Sequence, residues 1–97
     1  DRGMHYVEIN HTSKSVSFIR NDFLFMFNFS PEVSLTGHQV LAPAGSYKVV
    51  FSSDDPRFGG QGRIDHSVTF LTDRQHDYHF IRTYLPARTT TVMEKID

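Results

Sequence analysis

The sequence predicts an all-β fold: a two-sheet antiparallel β-sandwich of about eight strands with Greek-key connections. Short apolar and aromatic runs alternate with turn residues along the chain, and no segment keeps the 3.6-residue apolar period of a helix. The length of 97 residues suits one domain with one core. We therefore expect residues 1–97 to form a single domain, with residues 1–5 as a linker or boundary.

The clearest element is a hairpin in the first third of the chain. Phe occupies every odd position of residues 23–29, with Leu24 and Met26 between, so neither face of this strand is polar. Such a short aromatic run is typical of a buried strand. Only Asn21 and Asp22 separate it from the preceding strand candidate, and both residue types tolerate the positive φ angles of a two-residue loop.

The two-residue loop determines which side chains face each other. Phe18 should oppose Phe25, and Val16 should oppose Phe27, which gives one dense aromatic and aliphatic face. The other face, which includes Ile19, carries fewer large side chains because serines share it. We therefore expect the aromatic face of the hairpin to be the core.

The remaining strands alternate with turns along the chain. Besides the hairpin, we expect strands at residues 6–10, 38–41, 46–52, 68–71, 78–85 and 89–93. In the third of these, the alternation of apolar and polar residues predicts that Tyr47, Val49 and Phe51 point inward and Lys48 outward.

Composition excludes several classes of partner. Ten Lys and Arg residues balance eleven Asp and Glu residues, so no field attracts nucleic acid or anionic lipid. No apolar run is long enough to span a membrane. The absence of cysteine excludes disulfide and thiolate chemistry and fits a reducing compartment such as the cytoplasm. We expect neither nucleic acid nor a membrane as a partner.

Two motifs suggest bound groups, but their context does not support them. Residues 58–63 (FGGQGR) are glycine-rich, yet no lysine with a hydroxyl residue follows and no helix offers its N-terminus to a phosphate. His76 and His79 form the one close histidine pair, but residues three apart on a strand point to opposite faces. We therefore expect no cofactor and no metal.

The acidic residues give little support for catalysis. Asp54, Asp55 and Asp65 could supply the two carboxylates that glycoside hydrolysis needs. However, Asp54 and Asp55 precede Pro56, which is the ordinary composition of a turn. No serine lies in the Gly-x-Ser-x-Gly context of a nucleophile elbow. We expect no intrinsic catalysis by this chain.

Sugar binding is a stronger alternative. Aromatic rings stack on the apolar faces of pyranoses, and Tyr47, Tyr78, Tyr84 and Phe58 are the candidates. Tryptophan is absent, and the alternation places Tyr47 inward. Core packing and a sugar platform therefore both remain open for these rings.

Three segments resemble motifs of the 1,4-α-glucan branching enzymes. Residues 19–31 (IRNDFLFMFNFSP) resemble the segment ERGDLLFVFNFHP of that family. Residues 54–65 (DDPRFGGQGRID) resemble its loop D-x-P-x-FGG-x-x-R-x-D, and residues 84–89 (YLPART) resemble its closing YLPSRT. The order matches and covers most of the chain. Ser30 stands where many members have His, and residues 73–77 form a shorter connection than expected.

The resemblance implies a specific place in a larger enzyme. It indicates the C-terminal all-β domain that follows the catalytic (β/α)8 barrel in this branch of the α-amylase superfamily. Such a parent cleaves an α-1,4-glucan, holds it as a covalent glycosyl-enzyme and transfers it to a 6-hydroxyl, making the α-1,6 branches of cytosolic glycogen. The family's aspartate nucleophile, glutamate acid/base and third aspartate lie in the barrel, and none maps onto this chain.

The resemblance therefore implies a non-catalytic domain whose partners are the barrel of the same chain and, as a second role, α-glucan. A free-standing carbohydrate-binding or interaction module is the alternative. The candidate contacts lie in the loop at residues 53–66, which is long for a compact sandwich. We predict that Arg57, Phe58, Arg63 and Asp65 of this loop contact the barrel or the glucan.

Overall fold

The computed structural model describes residues 3–97 and is built from short strands in two antiparallel sheets. The strands are β1 (His5–Asn10), β2 (Ser15–Arg20), β3 (Phe23–Asn28), β4 (Leu35–Leu41), β5 (Ser46–Ser52), β6 (Thr69–Leu71), β7 (Asp73–Gln75), β8 (Tyr78–Leu85) and β9 (Thr89–Lys95), and one 3-10 turn covers Pro56–Phe58. The predicted all-β sandwich is confirmed, with nine strands in the described residues rather than about eight.

The two sheets share the strands unequally. The larger sheet has the order β1-β2-β3-β9-β5-β6, and the smaller has the order β4-β8-β7. The chain crosses between the sheets after β3, β4, β6 and β8. As a result β9, the last strand, lies between β3 and β5, the kind of non-local neighbour that Greek-key connections produce.

The predicted register of the β2–β3 hairpin is confirmed. Phe18 pairs with Phe25 and Val16 pairs with Phe27. Asn21, at the first position of the loop, has a φ of 56°, the left-handed conformation that this residue type tolerates.

The predicted core face of the hairpin is wrong. The buried face carries Ser15, Ser17, Ile19, Leu24, Met26 and Asn28, whereas the face of Val16, Phe18, Phe25 and Phe27 is only half-buried. The smaller sheet covers the serine-bearing face, so the aromatic face points away from it. Aromatic density alone does not decide which side of a strand is covered by the rest of its own domain.

Polar side chains on the inner face, the buried Asn28 and the half-buried Glu8, connect the two sheets. The Asn28 amide donates to the carbonyls of Leu85 and Val33, both at 2.9 Å, and its Oδ1 accepts the N–H of Ser30 at 2.9 Å. From β1, Glu8 Oε1 accepts the N–H of Leu41 on β4 at 2.9 Å. These hydrogen bonds replace those that the polar groups would make with water, which lowers the free-energy cost of removing the groups from solvent.

The inward alternation of β5 holds only for its first half. Tyr47 and Val49 are buried as predicted, and the Tyr47 hydroxyl donates to the Pro43 carbonyl at 2.7 Å. The prediction for Phe51 is wrong: the register with β9 shifts between Val49 and Phe51, and the Phe51 side chain is 38% exposed. A β-bulge of this kind inserts one residue and reverses the alternation that follows it.

Strand boundaries differ from the sequence prediction at a few places. β4 begins at Leu35 rather than residue 38, with an irregular register around Gly37, whose φ is 59°. The short polar strand β7 has no apolar alternation and was not predicted. Of the expected linker at residues 1–5, residues 1 and 2 lie outside the described part, and His5 starts β1. No helix within residues 3–97 is long and apolar enough to cross a membrane.

Candidate functional site

The loop between β5 and β6 is organised around one buried carboxylate. The Asp54 side chain is 3% exposed and forms an ion pair with Arg63 at 2.8 Å. Its oxygens also accept the Arg63 Nε at 3.1 Å and the main-chain N–H groups of Arg63 at 2.7 Å and of Gln61 at 3.2 Å. The Asp54 carbonyl accepts the N–H of Gly62 at 2.7 Å. Residues 54–63 are thus closed into a ring held by Asp54.

The ring requires glycine at Gly60. A Cβ atom at this position would overlap the main chain of Asp54, which cannot move without breaking its hydrogen bonds. The preceding turn is capped by Asp55, whose side chain accepts the N–H of Arg57 at 2.9 Å. The glycine-rich segment therefore serves a tight loop closure and not a phosphate cradle.

The charge of Asp54 is stabilised in the folded chain. The hydrogen bonds from the Arg63 side chain lower the pKa of Asp54 to about 2, although burial of the carboxyl opposes this shift. Because Asp54 is ionised and already fully paired, it is unavailable as a catalytic acid, base or nucleophile. Removal of the Arg63 side chain would leave the buried charge of Asp54 without its ion-pair partner.

Arg57 and Phe58 lie on one side of the loop, against the larger sheet. The Phe58 ring is 58% exposed and packs against Phe51 of β5 with a centroid distance of 5.6 Å. The Arg57 guanidinium lies 5.4 Å from the centre of the Phe58 ring and pairs with Asp55 at 3.2 Å. The exposed Phe58 side chain thus extends the outer surface of the larger sheet beyond Phe51.

Arg63 and Asp65 lie on a different surface, in a cleft of about 360 Å³ beside the smaller sheet. The cleft is lined by Gly37, Arg63, Ile64, Asp65, Val68, Phe70, Arg82, Thr83 and Tyr84. Asp65 accepts the hydroxyl of Ser67 at 2.6 Å and its N–H at 2.9 Å, and these hydrogen bonds lower the pKa of Asp65. The cleft combines a tyrosine ring with two arginines and a carboxylate.

A second cleft, of about 370 Å³, lies at the other end of the smaller sheet. Its lining includes Tyr78, Phe80, Gln39 and Glu8. The Phe80 ring is buried beneath the Arg82 guanidinium, which lies 5.0 Å from the ring centre. Of the predicted sugar-stacking rings, Tyr78 and Tyr84 line clefts, Phe58 is exposed on the loop, and Tyr47 is in the core.

The structure therefore divides the four predicted site residues into two pairs. Arg57 and Phe58 lie against the larger sheet, whereas Arg63 and Asp65 line the cleft at the smaller sheet. Within residues 3–97, no three His, Asp or Glu side chains come together as a set that could hold a metal ion.

Sequence reasoning missed one candidate surface altogether. The outer face of the larger sheet presents the rings of Phe18, Phe25, Phe27 and Phe29, whereas the sequence predicted that the face of Phe18 and Phe27 would be the core. A signal was present in the sequence: serines and Asn28 occupy the opposite face, and short polar side chains suit a closely packed seam between two sheets.

Comparison with known proteins identifies the type of domain. Residues 6–95 match the family model described as the α-amylase C-terminal all-β domain. Over 93% of its length, the chain is 40% identical to a 1,4-α-glucan-branching enzyme of Eremothecium gossypii and 38% identical to one of Candida glabrata, in each case covering 14% of the relative. It is 31% identical, again over 93% of its length, to the horse enzyme of the same name, covering 13% of it.

The chain spans about one-seventh of the length of the curated relatives that it matches. The match to the family model extends over nearly all of the sandwich, from β1 to the end of β9. It agrees with the all-β architecture and with the lack of a free carboxylate pair in the loop that carries Asp54. The chain belongs to the family of α-amylase C-terminal all-β domains.

Proposed function

We propose that residues 1–97 are the non-catalytic C-terminal domain of a 1,4-α-glucan branching enzyme, with the segment before β1 as the connection to the preceding part. The parent transfers α-1,4-glucan segments to 6-hydroxyls and so makes α-1,6 branches in cytoplasmic glycogen. The observation that carries this proposal is the similarity over 93% of the chain to branching enzymes of which it covers 14%. In the parent, this domain buttresses the catalytic (β/α)8 barrel.

The state of the acidic residues supports a non-catalytic role. Asp54 is buried against Arg63, Asp55 caps the turn that holds Arg57, and Asp65 is bonded to Ser67. A retaining glycosidase mechanism requires two carboxylates facing each other across a substrate cleft, one of them free to exchange a proton. None of these three aspartates has that arrangement.

Iodine staining of amylose tests this proposal. The purified chain should leave the iodine colour unchanged, while the full-length parent should shift it as branches form. A loss of colour with the chain alone would contradict the proposal if it persists after repurification and disappears in the variant Asp55→Asn/Asp65→Asn. Both substitutions keep side-chain size and leave the Asp54–Arg63 pair intact, so loss of folding would not explain the result.

The predicted contacts fit two roles. We propose that Arg57 and Phe58 contribute to docking on the barrel, because they continue the outer surface of the larger sheet. Arg63 and Asp65 are better placed for glucan, because they share a cleft with Tyr84. In that cleft the tyrosine ring would stack on a pyranose, and the charged groups would bind its hydroxyls.

Carbohydrate binding by the isolated domain is thus a second candidate function, supported by this cleft. Calorimetric titration of the chain with maltoheptaose tests it. Binding that disappears in Tyr84→Ala but persists in Tyr78→Ala, a change in the other cleft, would assign the site. No heat with either the chain or its variants would limit the domain to a structural role.

A further inference from the structure

The outer face of the larger sheet carries a continuous band of aromatic side chains. We call it the aromatic strip and define it by Phe18, Phe25, Phe27, Phe29, Phe51 and Phe58. The ring centroids of Phe18 and Phe25 are 5.0 Å apart, those of Phe18 and Phe27 6.0 Å, and those of Phe27 and Phe29 5.8 Å. Phe51 and Phe58 form a second group with centroids 5.6 Å apart.

The pairing of the strands makes these two groups one surface. Phe25 pairs with Val92 of β9, and Val92 pairs in turn with Phe51 of β5. On the other side, Phe27 pairs with Val16, and Val16 pairs with Ile9 of the edge strand β1. The strip and its aliphatic neighbours therefore cross five adjacent strands, from β1 to β5.

The smaller sheet packs on the opposite face of this surface and leaves the strip uncovered. Phe29 is 62% exposed, Phe58 58% and Ile9 61%. Soluble monomers rarely leave a contiguous apolar surface of this extent in water, and such surfaces mark interaction sites. Within residues 3–97 no segment folds over the strip, so its cover must come from elsewhere.

We propose that the aromatic strip is the surface on which the catalytic part of the branching enzyme packs. This inference rests on the function proposed above. The relatives place 86% of their length outside the matched region, since the chain covers 14% of them, so the parent supplies ample polypeptide as a partner. In a C-terminal domain that polypeptide precedes residue 1 and enters at β1, the edge strand of the same sheet.

The geometry of the rings argues for a protein partner rather than a glucan chain. A pyranose stacks on a free ring face, but the Phe18 ring already stacks on Phe25 and Phe27, with centroid distances of 5.0 and 6.0 Å and interplanar angles of 16° and 23°. Among the described cross-strand partners of Phe25 and Phe27, only Thr90 has a polar side chain, whereas Val16 and Val92 cannot bind sugar hydroxyls. Exposed ring edges over an apolar surface are instead suited to packing against apolar side chains.

Hydroxyl-radical footprinting read by mass spectrometry tests the assignment. The full-length parent and the 97-residue chain are oxidised side by side, and the rates at Phe27 and Phe29 are compared with the rate at Tyr78. Tyr78 is a matched control because it is 39% exposed on the smaller sheet, away from the strip. We expect strip oxidation to fall at least threefold in the parent, as in the core of an interface, and Tyr78 oxidation to stay equal.

The alternatives give different results. Equal strip oxidation in the parent and the chain would overturn the proposal. Strip protection that appears in the parent only when maltoheptaose is added would assign the strip to glucan, and protection that rises with concentration of the chain alone would assign it to a second copy. Each of these outcomes refutes docking. A branching assay of the parent tests the proposed function separately: a parent without branching activity would contradict that function, whatever the footprinting shows.

A pair of substitutions provides an independent test in the full-length parent. Phe29→Glu places a charge on the most exposed ring of the strip, and Tyr78→Glu places one on the control surface. We expect the first to lower the unfolding temperature and branching activity of the parent, and the second to leave the unfolding temperature unchanged. In the 97-residue chain both variants should remain folded by circular dichroism. Equal effects of the two variants in the parent would contradict docking on the strip.

Discussion

In the β2–β3 hairpin, the face with more polar side chains is buried, and the face with more aromatic side chains is half-exposed. The face of Ser17, Met26 and Asn28 is buried, although half of its members are polar. The face of Phe18 and Phe27 is half-exposed, although four of its six members are phenylalanines. The hydrophobicity of the side chains therefore does not predict which of the two faces is buried within this domain.

The difference follows from what each face must contact. The inner face meets a second sheet at short distance, so small and medium side chains suit it, and Asn28 bonds to the main chain across the gap. The outer face meets nothing within the described chain, and large rings would suit a partner surface. On the docking proposed above, the interface of this domain is more aromatic than its own core.

The strongest test of this comparison uses neighbouring residues of β3. Met26→Ala should lower the free energy of unfolding by about 2–5 kcal/mol, because Met26 is fully buried and its loss leaves a cavity. Phe27→Ala should cost only about 1 kcal/mol, since its ring is half-exposed. Urea denaturation of the 97-residue chain measures both. A greater loss of stability in Phe27→Ala than in Met26→Ala would show that the aromatic face is the core.

Asn28 tests the polar part of the inner face. Asn28→Ala removes two hydrogen bonds to main-chain carbonyls and one from the Ser30 N–H, so we expect a loss of about 2–3 kcal/mol. Ser17→Ala is the matched control, because its hydroxyl makes only a long 3.4 Å contact with Glu8. Similar urea midpoints for the two variants would show that the bonds of Asn28 add no stability.

Much of the fold was accessible from sequence, because it depends on local chemistry. Asn21 specifies the two-residue loop, and this loop alone fixes the register of Phe18 with Phe25. The alternation around Tyr47 likewise identifies the first half of β5. These features require only neighbours along the chain or across one turn, and the sequence contains that information directly.

The features that could not be predicted depend on distant contacts. The outward position of Phe51 results from a bulge set by pairing with β9, which no local pattern marks. The Asp54–Arg63 pair was hidden because both residues are common on loop surfaces, and only the folded ring buries the carboxylate. The choice of core face depends on which sheet covers the hairpin, and this is a property of the whole topology.

The comparison can be sharpened at the loop that carries Phe58 to the outer face. Asp54 has a folded pKa of about 2, below the value of about 3.9 for an unperturbed aspartate, so its charge contributes stability above about pH 4 that is lost as the pH falls towards 2. We expect the loss to be about 1–2 kcal/mol. Asp54→Asn should remove this part of the pH dependence, as measured by urea denaturation between pH 2 and 6. An unchanged profile in Asp54→Asn would contradict the assignment.

The smallest effect is expected at the most exposed member of the aromatic strip. Phe29→Ser in the 97-residue chain removes a ring that is 62% exposed and contacts Phe27 in parallel at 5.8 Å, so the free energy of unfolding should fall by no more than about 1 kcal/mol. Solubility should rise, because an exposed apolar group is lost. Tyr78→Ser is the control, since Tyr78 is 39% exposed on the smaller sheet, away from the strip. In the full-length parent the two variants should separate: Phe29→Ser should lower the unfolding temperature clearly more than Tyr78→Ser. A cost above about 2 kcal/mol in the chain alone would mean that Phe29 already packs inside the domain, and the contrast between the two faces would fail.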